Sequence, residues 1–224
     1  MQINIFKSVK EASKAKGITV VIDVFRAFST EVYAFANGCK YIVPVNNLED
    51  AYKLKSENPD YLLIGERGGL KPEGFDFGNS PTEIMNVDFT GKVLVHTTSN
   101  GTKGLVNAIN ADLVLTGSFV NANAIIKYIQ KENPNEVSLI STSSDEDNDN
   151  EDVMLAYYIQ DCLNGKTPDE NNIKEMLTKT MAYKILFTEV GVPASDFEYC
   201  LDFNRFDFVI KQEKLDGINV LIKN

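Results

Sequence analysis

The feature that most restricts the fold of this 224-residue chain is a repeated register: a short apolar run, a polar loop, and then an apolar period of helical spacing. The register is clearest after residues 18–22, 113–116 and 137–140. Shorter runs of the same kind occupy positions 2–6, 41–43, 61–64 and 93–95. This alternation predicts an α/β fold with three layers, α/β/α, around a mixed, largely parallel sheet. The carboxyl ends of parallel strands, where such sheets bind ligands, then share one edge.

The last third of the chain lacks this register. One longer amphipathic helix is predicted over residues 173–187, and Gly191-Val192-Pro193 ends it. Residues 197–224 are aromatic and strand-like, with a turn at Asp216-Gly217, which predicts antiparallel edge strands added at the C-terminus. No linker-like segment divides the chain, so residues 1–224 are predicted to form one domain. A second lobe from about residue 165 is the alternative.

Charge and composition argue against several classes of protein. The net charge of −10 argues against binding nucleic acid or an anionic membrane through bulk charge. No apolar run approaches the roughly 20 residues of a membrane span, and residues 1–17 lack the apolar core of a signal peptide. The three cysteines are scattered without a Cys-x-x-Cys pair, which argues against a disulfide framework or a zinc site and predicts a cytoplasmic protein.

A polar stretch at residues 97–102 lies between an apolar run and an apolar-periodic segment. Its side chains offer four hydroxyls and one amide, from Thr97, Thr98, Ser99, Asn100 and Thr102, with a turn at Asn100-Gly101. The start of a helix presents free backbone N–H groups and the positive end of the helix dipole. We therefore predict that this loop holds a phosphate or another oxyanion.

Arginine is rare, and its positions are informative. The chain has three arginines, Arg26, Arg67 and Arg205, and the first two lie in polar loops that follow predicted strands. Arg26 is three residues beyond Asp23, in a loop that leads to a helix predicted to start at a Ser29 or Thr30 cap. Because arginine binds phosphate, sulfonate and carboxylate in a bidentate manner, this placement in an acidic protein predicts a local site for a small anion.

A glycine-rich loop of about sixteen residues follows the strand predicted at 61–64. It carries Glu66 and Arg67 near its start and Asn79 near its end. Loops of this length in compact domains usually have a function. The loop closes on a predicted capping box, with Ser80 at the N-cap of the next helix, proline at the first helical position, and Glu83 three residues beyond the cap.

Familiar catalytic and metal-binding motifs are absent from the sequence. The phosphate-binding GxxxxGK[ST] and dinucleotide-binding GxGxxG patterns do not occur. Cys200 and Arg205 are one residue too close for a cysteine-phosphatase loop. His96, the single histidine, lies in or beside a buried strand and is interpreted as structural. The acidic run 145–152 begins like a calcium-binding loop, but Ala156 occupies the twelfth position, where a glutamate is required.

The end of the acidic run differs from its beginning. Residues 145–150 are predicted to be a solvated acidic loop. Glu151 and Asp152 instead open a helix predicted over 151–163, at the sheet edge where their carboxylates could reach a metal. The preference of helix N-termini for acidic residues would also place them there without a metal.

Six segments of the chain form a specific set. They are Val-Ile-Asp23-Val-Phe-Arg26-Ala, Gly65-Glu66-Arg67-Gly, Gly74-Phe-Asp-Phe-Gly78-Asn79-Ser80-Pro81, Thr97-Thr98-Ser99-Asn100-Gly101-Thr102, Gly117-Ser118-Phe-Val-Asn121 and Glu151-Asp152. Together, and in this order, they resemble the 2-phosphosulfolactate phosphatase family over about residues 18–160. Ser99 stands where a third threonine is expected, and it keeps the hydroxyl. The acidic loop before Glu151 is more polar than expected. This difference affects any prediction of a lid over the site, but it does not affect the site residues.

The resemblance implies a reaction and a set of site residues. The implied reaction is the Mg²⁺-dependent hydrolysis of 2-phospho-3-sulfolactate to 3-sulfolactate and phosphate, on the route to coenzyme M. The implied catalytic residues are Asp23, Arg26, Glu66 and Arg67, and the implied metal ligands are Asp23, Glu151 and Asp152. The implied substrate-binding residues are Asn79, Ser80, Thr97, Thr98, Ser99, Asn100, Gly101, Thr102, Ser118 and Asn121.

The chemistry of these side chains fits such a substrate, which carries carboxylate, sulfonate and phosphate groups. Arg26 and Arg67 would clamp the anionic groups. Asp23 and Glu66, like the acidic pair at 151–152, are the hard oxygen ligands that Mg²⁺ prefers. Asp23 has a second possible role as a covalent nucleophile that forms an aspartyl phosphate. Phenylalanine at position 25, where phosphatases of the haloacid-dehalogenase type have a second aspartate, favours the ligand role.

Two other functions stay open at this point. One is a phosphatase for a different small phosphorylated hydroxy acid, and the other is a non-catalytic anion-binding module that keeps the same cradle. The expected partner is a small anionic substrate, without nucleic acid or membrane. A homodimer is a further expectation, since Phe203, Phe206 and Phe208 could form an edge contact, although burial within one chain explains them equally well.

Overall fold

The structure is a computed structural model that describes residues 1–142 and 150–224. The strands are β1 (Gln2–Phe6), β2 (Ile18–Ile22), β3 (Tyr41–Pro44), β4 (Leu62–Gly65), β5 (Val93–Thr97), β6 (Leu113–Gly117), β7 (Glu136–Ser141), β8 (Ile210–Leu215) and β9 (Ile218–Lys223). The α-helices are α1 (Ala27–Ala36), α2 (Leu48–Glu57), α3 (Pro81–Ile84), α4 (Gly101–Asn107), α5 (Ala122–Glu132), α6 (Glu151–Leu163), α7 (Glu170–Leu177), α8 (Met181–Tyr183) and α9 (Ser195–Cys200). Short 3₁₀ helices span Val9–Lys14 and Phe119–Asn121, and a π-helix spans Lys184–Val190.

The described strands form one nine-stranded sheet in the order β1-β7-β2-β6-β8-β9-β3-β5-β4. All the pairings among β1 to β7 are parallel. The hairpin of β8 and β9 pairs antiparallel with β6 on one side and β3 on the other. The prediction of a largely parallel sheet with an antiparallel C-terminal addition is confirmed.

Helices cover both faces of the sheet, as the three-layer prediction requires. Successive residues of β2 show why, because side chains alternate between the faces of a strand. Val20 packs in a cluster with Ile125 of α5, and Val21 packs in another with Phe28 of α1 and Leu105 of α4. Burial on both faces accounts for the unbroken β-branched run that forms this central strand.

The C-terminal hairpin lies inside the sheet, so its prediction as an edge addition is wrong. Leu115 of β6 is in register with Lys211 of β8, and Ile42 of β3 is in register with Leu221 of β9. Without the hairpin, β6 and β3 would each present a row of unpaired backbone groups. The hairpin satisfies both edges and joins two parallel halves, and its turn lies at the predicted Asp216-Gly217.

The helix predicted over 173–187 is interrupted, and that prediction is also wrong. Helix α7 ends at Leu177, and the hydroxyl of Thr180 donates to the Leu177 carbonyl (2.9 Å) and accepts from the backbone N–H of Tyr183 (3.2 Å). A threonine hydroxyl that binds nearby backbone groups competes with helical hydrogen bonds. The π-helix then runs to Gly191, whose φ of +77° suits glycine. Part of the segment predicted as strand-like is helix α9.

The C-terminal aromatic residues pack within the chain. The ring of Phe203 lies 4.4 Å from that of Phe119, and the ring of Phe206 lies 5.1 Å from that of Tyr33, measured between centroids. Phe208 is buried. These contacts account for the aromatic residues inside one chain, and a homodimer stays a prediction.

Helix α6 begins at Glu151, as predicted. The side chain of Asn150 caps it by accepting a hydrogen bond from the backbone N–H of Val153 (2.9 Å). The rest of the acidic loop predicted over 145–150 lies outside the described residues. Across residues 1–142 and 150–224, no helix has the length and apolar character needed to cross a membrane.

Candidate active site

A cavity of about 260 Å³ opens where β2, β4 and β5 reach their carboxyl ends. The residues that line it are Asp23, Phe25, Arg26, Glu66, Gly68, Gly69, Asn79, Thr98, Ser99, Asn100 and Leu186. Three loops that the sequence marked as polar therefore converge on one cavity, at the sheet edge where parallel strands end.

Asp23 lies at the point where β2 ends and α1 begins. Its Oδ1 accepts a hydrogen bond from the backbone N–H of Ala27 (3.0 Å), so the helix begins earlier than predicted. Ser29 and Thr30 do not cap it, because their hydroxyls donate to backbone carbonyl groups (2.7 and 2.8 Å). Burial raises the pKa of Asp23 from 3.8 to about 6, and the negative charge of Glu66 adds to the rise.

Asp152 lies close to Asp23, at the start of α6. Its Oδ1 accepts from the backbone N–H of Val24 (2.9 Å), and its Oδ2 accepts from the backbone N–H of Thr142 (3.2 Å). The Thr142 hydroxyl is 3.3 Å from Asp23 Oδ2 and 3.2 Å from Asp152 Oδ2, and its single proton serves one of them at a time. Burial raises the pKa of Asp152 well above its usual value, and the charges of Glu151 and Asp23 raise it further.

The donor chemistry of this pair fits Mg²⁺. Within residues 1–142 and 150–224, no group of three or more histidine, cysteine, aspartate or glutamate side chains is arranged to enclose a metal ion. Mg²⁺, however, commonly uses one or two carboxylates and completes its coordination with waters and substrate phosphate. Asp23 and Asp152 supply two such carboxylates, and in the described chain neither forms an ion pair with a basic side chain. A cation would relieve the repulsion between them.

Glu66 joins two of the loops around the cavity. Its Oε1 accepts from the backbone N–H of Ser99 (2.6 Å), and its Oε2 accepts from the backbone N–H of Gly69 (2.8 Å) and the Ser99 hydroxyl (3.2 Å). The carboxylate therefore fixes the loop after β4 against the loop after β5. It does so at the cavity wall, where its charge also acts on Asp23.

Arg26 also lines the cavity and is itself buried. The chain reaches it through a cis peptide bond from Phe25. Its Nη1 donates to Asp196 Oδ2 (2.7 Å), and its Nη2 donates to the Gly69 carbonyl (2.8 Å). The clamp predicted at this position is thus an arginine that already has an anionic partner inside the protein.

Arg67 does not line the cavity, although it was predicted as the second clamp. Its Nη1 donates to the Glu66 carbonyl (2.6 Å), and its Nη2 lies within hydrogen-bonding distance of Thr97 Oγ1 (2.7 Å) and the Asn46 carbonyl (3.2 Å). These contacts give it a place behind the cavity wall, where it braces the end of β5. The sequence could not reveal this, because the direction of the side chain depends on neighbouring loops.

The loop predicted as an anion cradle contributes part of the cavity lining. Thr98, Ser99 and Asn100 line the cavity, and helix α4 starts immediately after them. Thr102 is buried, and its backbone N–H donates to Thr98 Oγ1 (3.4 Å). A Cβ placed on Gly101 would lie 2.7 Å from Asp23 Oδ2, so glycine is what lets this loop approach the carboxylate.

The sequence model of the 2-phosphosulpholactate phosphatase family matches residues 3–214. The chain belongs to this family. A relative from Caldicellulosiruptor saccharolyticus, described as a probable 2-phosphosulfolactate phosphatase, is 36% identical over 225 residues that cover 91% of each chain. Relatives with the same description come from Caldanaerobacter subterraneus subsp. tengcongensis (32% identical, 92% of each chain) and Carboxydothermus hydrogenoformans (36% identical, 88% of this chain and 87% of the relative). The chain is a phosphoric monoester hydrolase of this family.

In this 2-phosphosulfolactate phosphatase family member, Asn79 and Ser80 have different positions. Asn79 lines the cavity, and its buried Oδ1 has no hydrogen-bond partner among the described residues. Ser80 caps α3 as predicted, by accepting from the backbone N–H of Glu83 (3.3 Å), and donates to Asp196 Oδ1 (2.8 Å). The Glu83 carboxylate completes the turn by accepting from the Gly78 N–H (2.5 Å), where the reciprocal bond to Ser80 was predicted.

Ser118 and Asn121, which the resemblance implied as substrate-binding residues, lie away from the cavity lining. Both are fully buried, and they form a capping box in which the Ser118 backbone N–H donates to Asn121 Oδ1 (3.2 Å). Ser118 Oγ lies 2.5 Å from Ser29 Oγ, and Asn121 Nδ2 donates to the Phe208 carbonyl (3.4 Å). The structure thus places this motif between α1 and the C-terminal segment rather than at the cavity.

His96 is also away from the cavity lining, in agreement with its interpretation as structural. It is fully buried in β5, and its Nδ1 lies 2.8 Å from Glu31 Oε1 of α1. Burial raises the pKa of Glu31, although the hydrogen bond to His96 opposes the rise. The pair joins the central sheet to the helix that begins beside Asp23.

Four residues that line the cavity were not predicted as site residues, namely Phe25, Gly68, Gly69 and Leu186, and neither was Asp196, which binds Arg26. Phe25 lines the cavity, and its ring lies 5.4 Å from that of Phe187 in the π-helix. Leu186 lines the cavity from the same π-helix. Leu186 and Asp196 belong to the C-terminal segment, which folds back against the site. No local pattern in an amphipathic or aromatic stretch indicates such a return.

Proposed function

We propose that this family member is an Mg²⁺-dependent phosphatase that hydrolyses 2-phospho-3-sulfolactate to 3-sulfolactate and phosphate. The observation that carries the proposal is one small cavity lined by a buried carboxylate, Asp23, an arginine, Arg26, and the amide residue Asn79. Such a cavity offers separate places for a phosphoryl group beside a cation and for a second anionic group beside a guanidinium. The family relationship supports the same substrate.

Asp23 and Asp152 would hold Mg²⁺, and Glu151 is buried beside them at the start of α6. The ion would neutralise charge on the phosphoryl oxygens and lower the pKa of an attacking water. We assign Asp23 the role of ligand, because Asp23 Oδ2 and Asp152 Oδ2 both lie against the Thr142 hydroxyl, one on each side of a shared donor. Trapping a phosphate on Asp23 would overturn this assignment in favour of nucleophilic catalysis.

The remaining lining residues would orient the organic part of the substrate. The start of α4 and the side chains of Thr98, Ser99 and Asn100 would donate to phosphate oxygens. The Arg26 guanidinium and the Nδ2 of Asn79 would donate to the carboxylate or the sulfonate, with Phe25 and Leu186 against the carbon chain. Fixed donors of this kind act without reorganisation, and electrostatic positioning supplies most of the catalysis in phosphoryl transfer.

The decisive experiment measures phosphate release from 2-phospho-3-sulfolactate and from 2-phospholactate, each with Mg²⁺ and with EDTA. We expect metal-dependent release that favours the sulfonated substrate, and its loss in an Asp23→Asn variant. Equal rates on the two substrates would keep the phosphatase but remove the specificity for a sulfonate. Absence of release from both would leave a protein that binds anions without turnover.

We further propose that the enzyme works in the cytoplasm, on the route to coenzyme M. The free state of Cys39, Cys162 and Cys200 supports a reducing compartment. The pathway follows from the substrate alone. Accumulation of phosphorylated sulfolactate in cells that lack the enzyme would test it.

A further inference from the structure

Asp196, in α9, has a fully buried carboxylate that lies outside the cavity lining and has no part in the proposed chemistry. We propose that Asp196 is a positioning residue, which holds the Arg26 guanidinium in the cavity wall so that Arg26 can bind an anionic group of the substrate. The inference rests on the proposed function, because that function gives Arg26 its task.

The two oxygens of Asp196 are divided between two loops. Oδ2 accepts from Arg26 Nη1 (2.7 Å), whereas Oδ1 accepts from the Ser80 hydroxyl (2.8 Å) and the backbone N–H of Thr82 (2.9 Å). Three donors therefore fix the carboxylate, and the carboxylate fixes one edge of the guanidinium. A guanidinium has five N–H donors in a rigid plane, so fixing one edge also sets the direction of the others.

The charge arrangement explains why a dedicated carboxylate is needed. Arg26 and Asp23 line the same cavity, yet the ion pair of Arg26 is with Asp196. Asp23 and Glu66 are the acidic residues that line the cavity together with Arg26, and without Asp196 their charges would compete for the guanidinium. Asp196 thus keeps the guanidinium and the metal-binding carboxylates from neutralising each other. Stability alone would not require a charge here, because a buried ion pair is often no better than apolar residues of similar volume.

The test is a double-mutant cycle between positions 26 and 196. Asp196→Asn is made in the wild type and in an Arg26→Met background, and kcat and KM for 2-phospho-3-sulfolactate are measured with Mg²⁺. An asparagine can accept on one side only, so it cannot serve both Arg26 and the Thr82 N–H. Binding of 3-sulfolactate is measured by calorimetry in the same four proteins, as a readout that does not require turnover.

We expect Asp196→Asn to lower kcat/KM about 100-fold in the wild type, mainly through KM, because a displaced binding group loses orientation. In the Arg26→Met background the same change should alter kcat/KM by less than about twofold, since its target is gone. Affinity for 3-sulfolactate should follow the same pattern. Equal losses in both backgrounds, or no loss in the wild type, would overturn the proposal.

Two further proteins complete the design. Asp202→Asn, which removes the carboxylate of the exposed Arg205 pair (2.6 Å), is the matched control and should leave both constants unchanged. If Asp196→Asn does not fold, Asp196→Glu replaces it in the cycle, because it keeps the charge and shifts it by one methylene. Normal turnover without coupling between positions 26 and 196 would overturn only this inference. Coupled binding of 3-sulfolactate without turnover would overturn the proposed reaction instead. A lack of binding together with a lack of turnover would overturn the reaction and this inference.

Discussion

The carboxylate side of the site consists of Asp23 and the adjacent Asp152, which receive hydrogen bonds from backbone N–H groups and a threonine hydroxyl, all of them neutral donors. The arginine side consists of Arg26, which pairs with the carboxylate of Asp196 at 2.7 Å. Both sets of side chains are buried. The two sides therefore differ in whether the protein itself neutralises the charge that it buries.

This difference separates two tasks. A buried charge with only neutral partners keeps most of its demand for a counter-ion, so the carboxylate side is ready to take up a cation. A buried charge that is already paired has little net charge left to offer, so the arginine side acts by the direction of its hydrogen bonds. Variants can test the two sides independently. Neutralising a carboxylate on the carboxylate side should relieve electrostatic repulsion, whereas neutralising Asp196 should leave a buried positive charge unpaired.

The largest expected effect is that of Asp23→Asn, which should lower kcat at least about 1000-fold while stabilising the metal-free protein. Asparagine keeps the acceptor for the Ala27 N–H, and its Nδ2 can donate to the Thr142 hydroxyl, which then donates to Asp152. Phosphate release and urea unfolding in EDTA measure the two effects. Asp161→Asn, at an exposed pair with Lys166, is the control and should change neither.

The second effect tests the close approach of the loop to the carboxylate. Gly101→Ala should lower kcat/KM about 100-fold, since its Cβ would lie 2.7 Å from Asp23 Oδ2 and displace it. Gly38→Ala is the matched control, because its Cβ would also approach a side-chain oxygen, Thr90 Oγ1 at 2.8 Å, but away from the cavity lining. It should reduce the free energy of unfolding with little loss of activity. Similar activity losses in both would contradict a specific role for the Asp23 contact.

The parts of the site that sequence alone could predict are those set by local order along the strands. Asp23, Glu66 and Thr98 follow β2, β4 and β5, and parallel strands bring such positions to one edge. This reasoning needs only the periodicity of the apolar runs and the polar residues that follow them. It indicated six of the residues that line the cavity, Asp23, Arg26, Glu66, Thr98, Ser99 and Asn100, and the family resemblance added Asn79.

What could not be predicted depends on contacts between distant segments. The apolar and polar residues of the β8–β9 hairpin alternate as they do in an edge strand. The hairpin lies in the middle of the sheet because it pairs with the edges of β6 and β3, and no local pattern shows this. Asp196 lies 170 positions from Arg26, and its neighbours give no sign of a buried ion pair. Arg67 was assigned from its motif, but the direction of its side chain is fixed by Thr97 and Asn46.

A smaller effect is expected of pH on the free energy of unfolding, and its sign tests whether the carboxylate of Asp23 has a raised pKa. The pKa of Asp23 is about 6 in the folded protein against 3.8 as the ordinary value, so the folded state binds this proton more tightly. Its contribution to stability is present at acidic pH and is lost as the pH rises through about 6. In EDTA, the stability advantage of Asp23→Asn over the wild type should therefore grow between pH 5 and pH 7, toward about 2–3 kcal/mol. A constant difference across this range would show that Asp23 titrates normally.

Saturating Mg²⁺ should reverse that trend in the wild type, because the cation stabilises the ionised carboxylate. Activity should also fall about tenfold per pH unit below the pKa that governs Asp23, since the protonated form cannot bind the cation. The Asp23→Asn protein should show no stabilisation by Mg²⁺ beyond that produced by sodium chloride of equal ionic strength. Equal stabilisation of both proteins by Mg²⁺ would place the ion elsewhere.

The smallest effect is expected at the exposed pair of Arg205 and Asp202. Comparison with the buried pair separates the effect of burial from the effect of a short distance. Arg205 and Asp202 approach to 2.6 Å, as closely as Arg26 and Asp196, but each has more than two-fifths of its side chain exposed. Solvent and salt screen such a pair, so Asp202→Asn should change the free energy of unfolding by less than about 0.5 kcal/mol, and less still in 1 M salt. Asp196→Asn should cost about 3 kcal/mol and keep that cost in salt, because it leaves a buried guanidinium without its counter-charge. Comparable costs at the two sites would mean that the short distance, rather than the burial, gives the inner pair its importance.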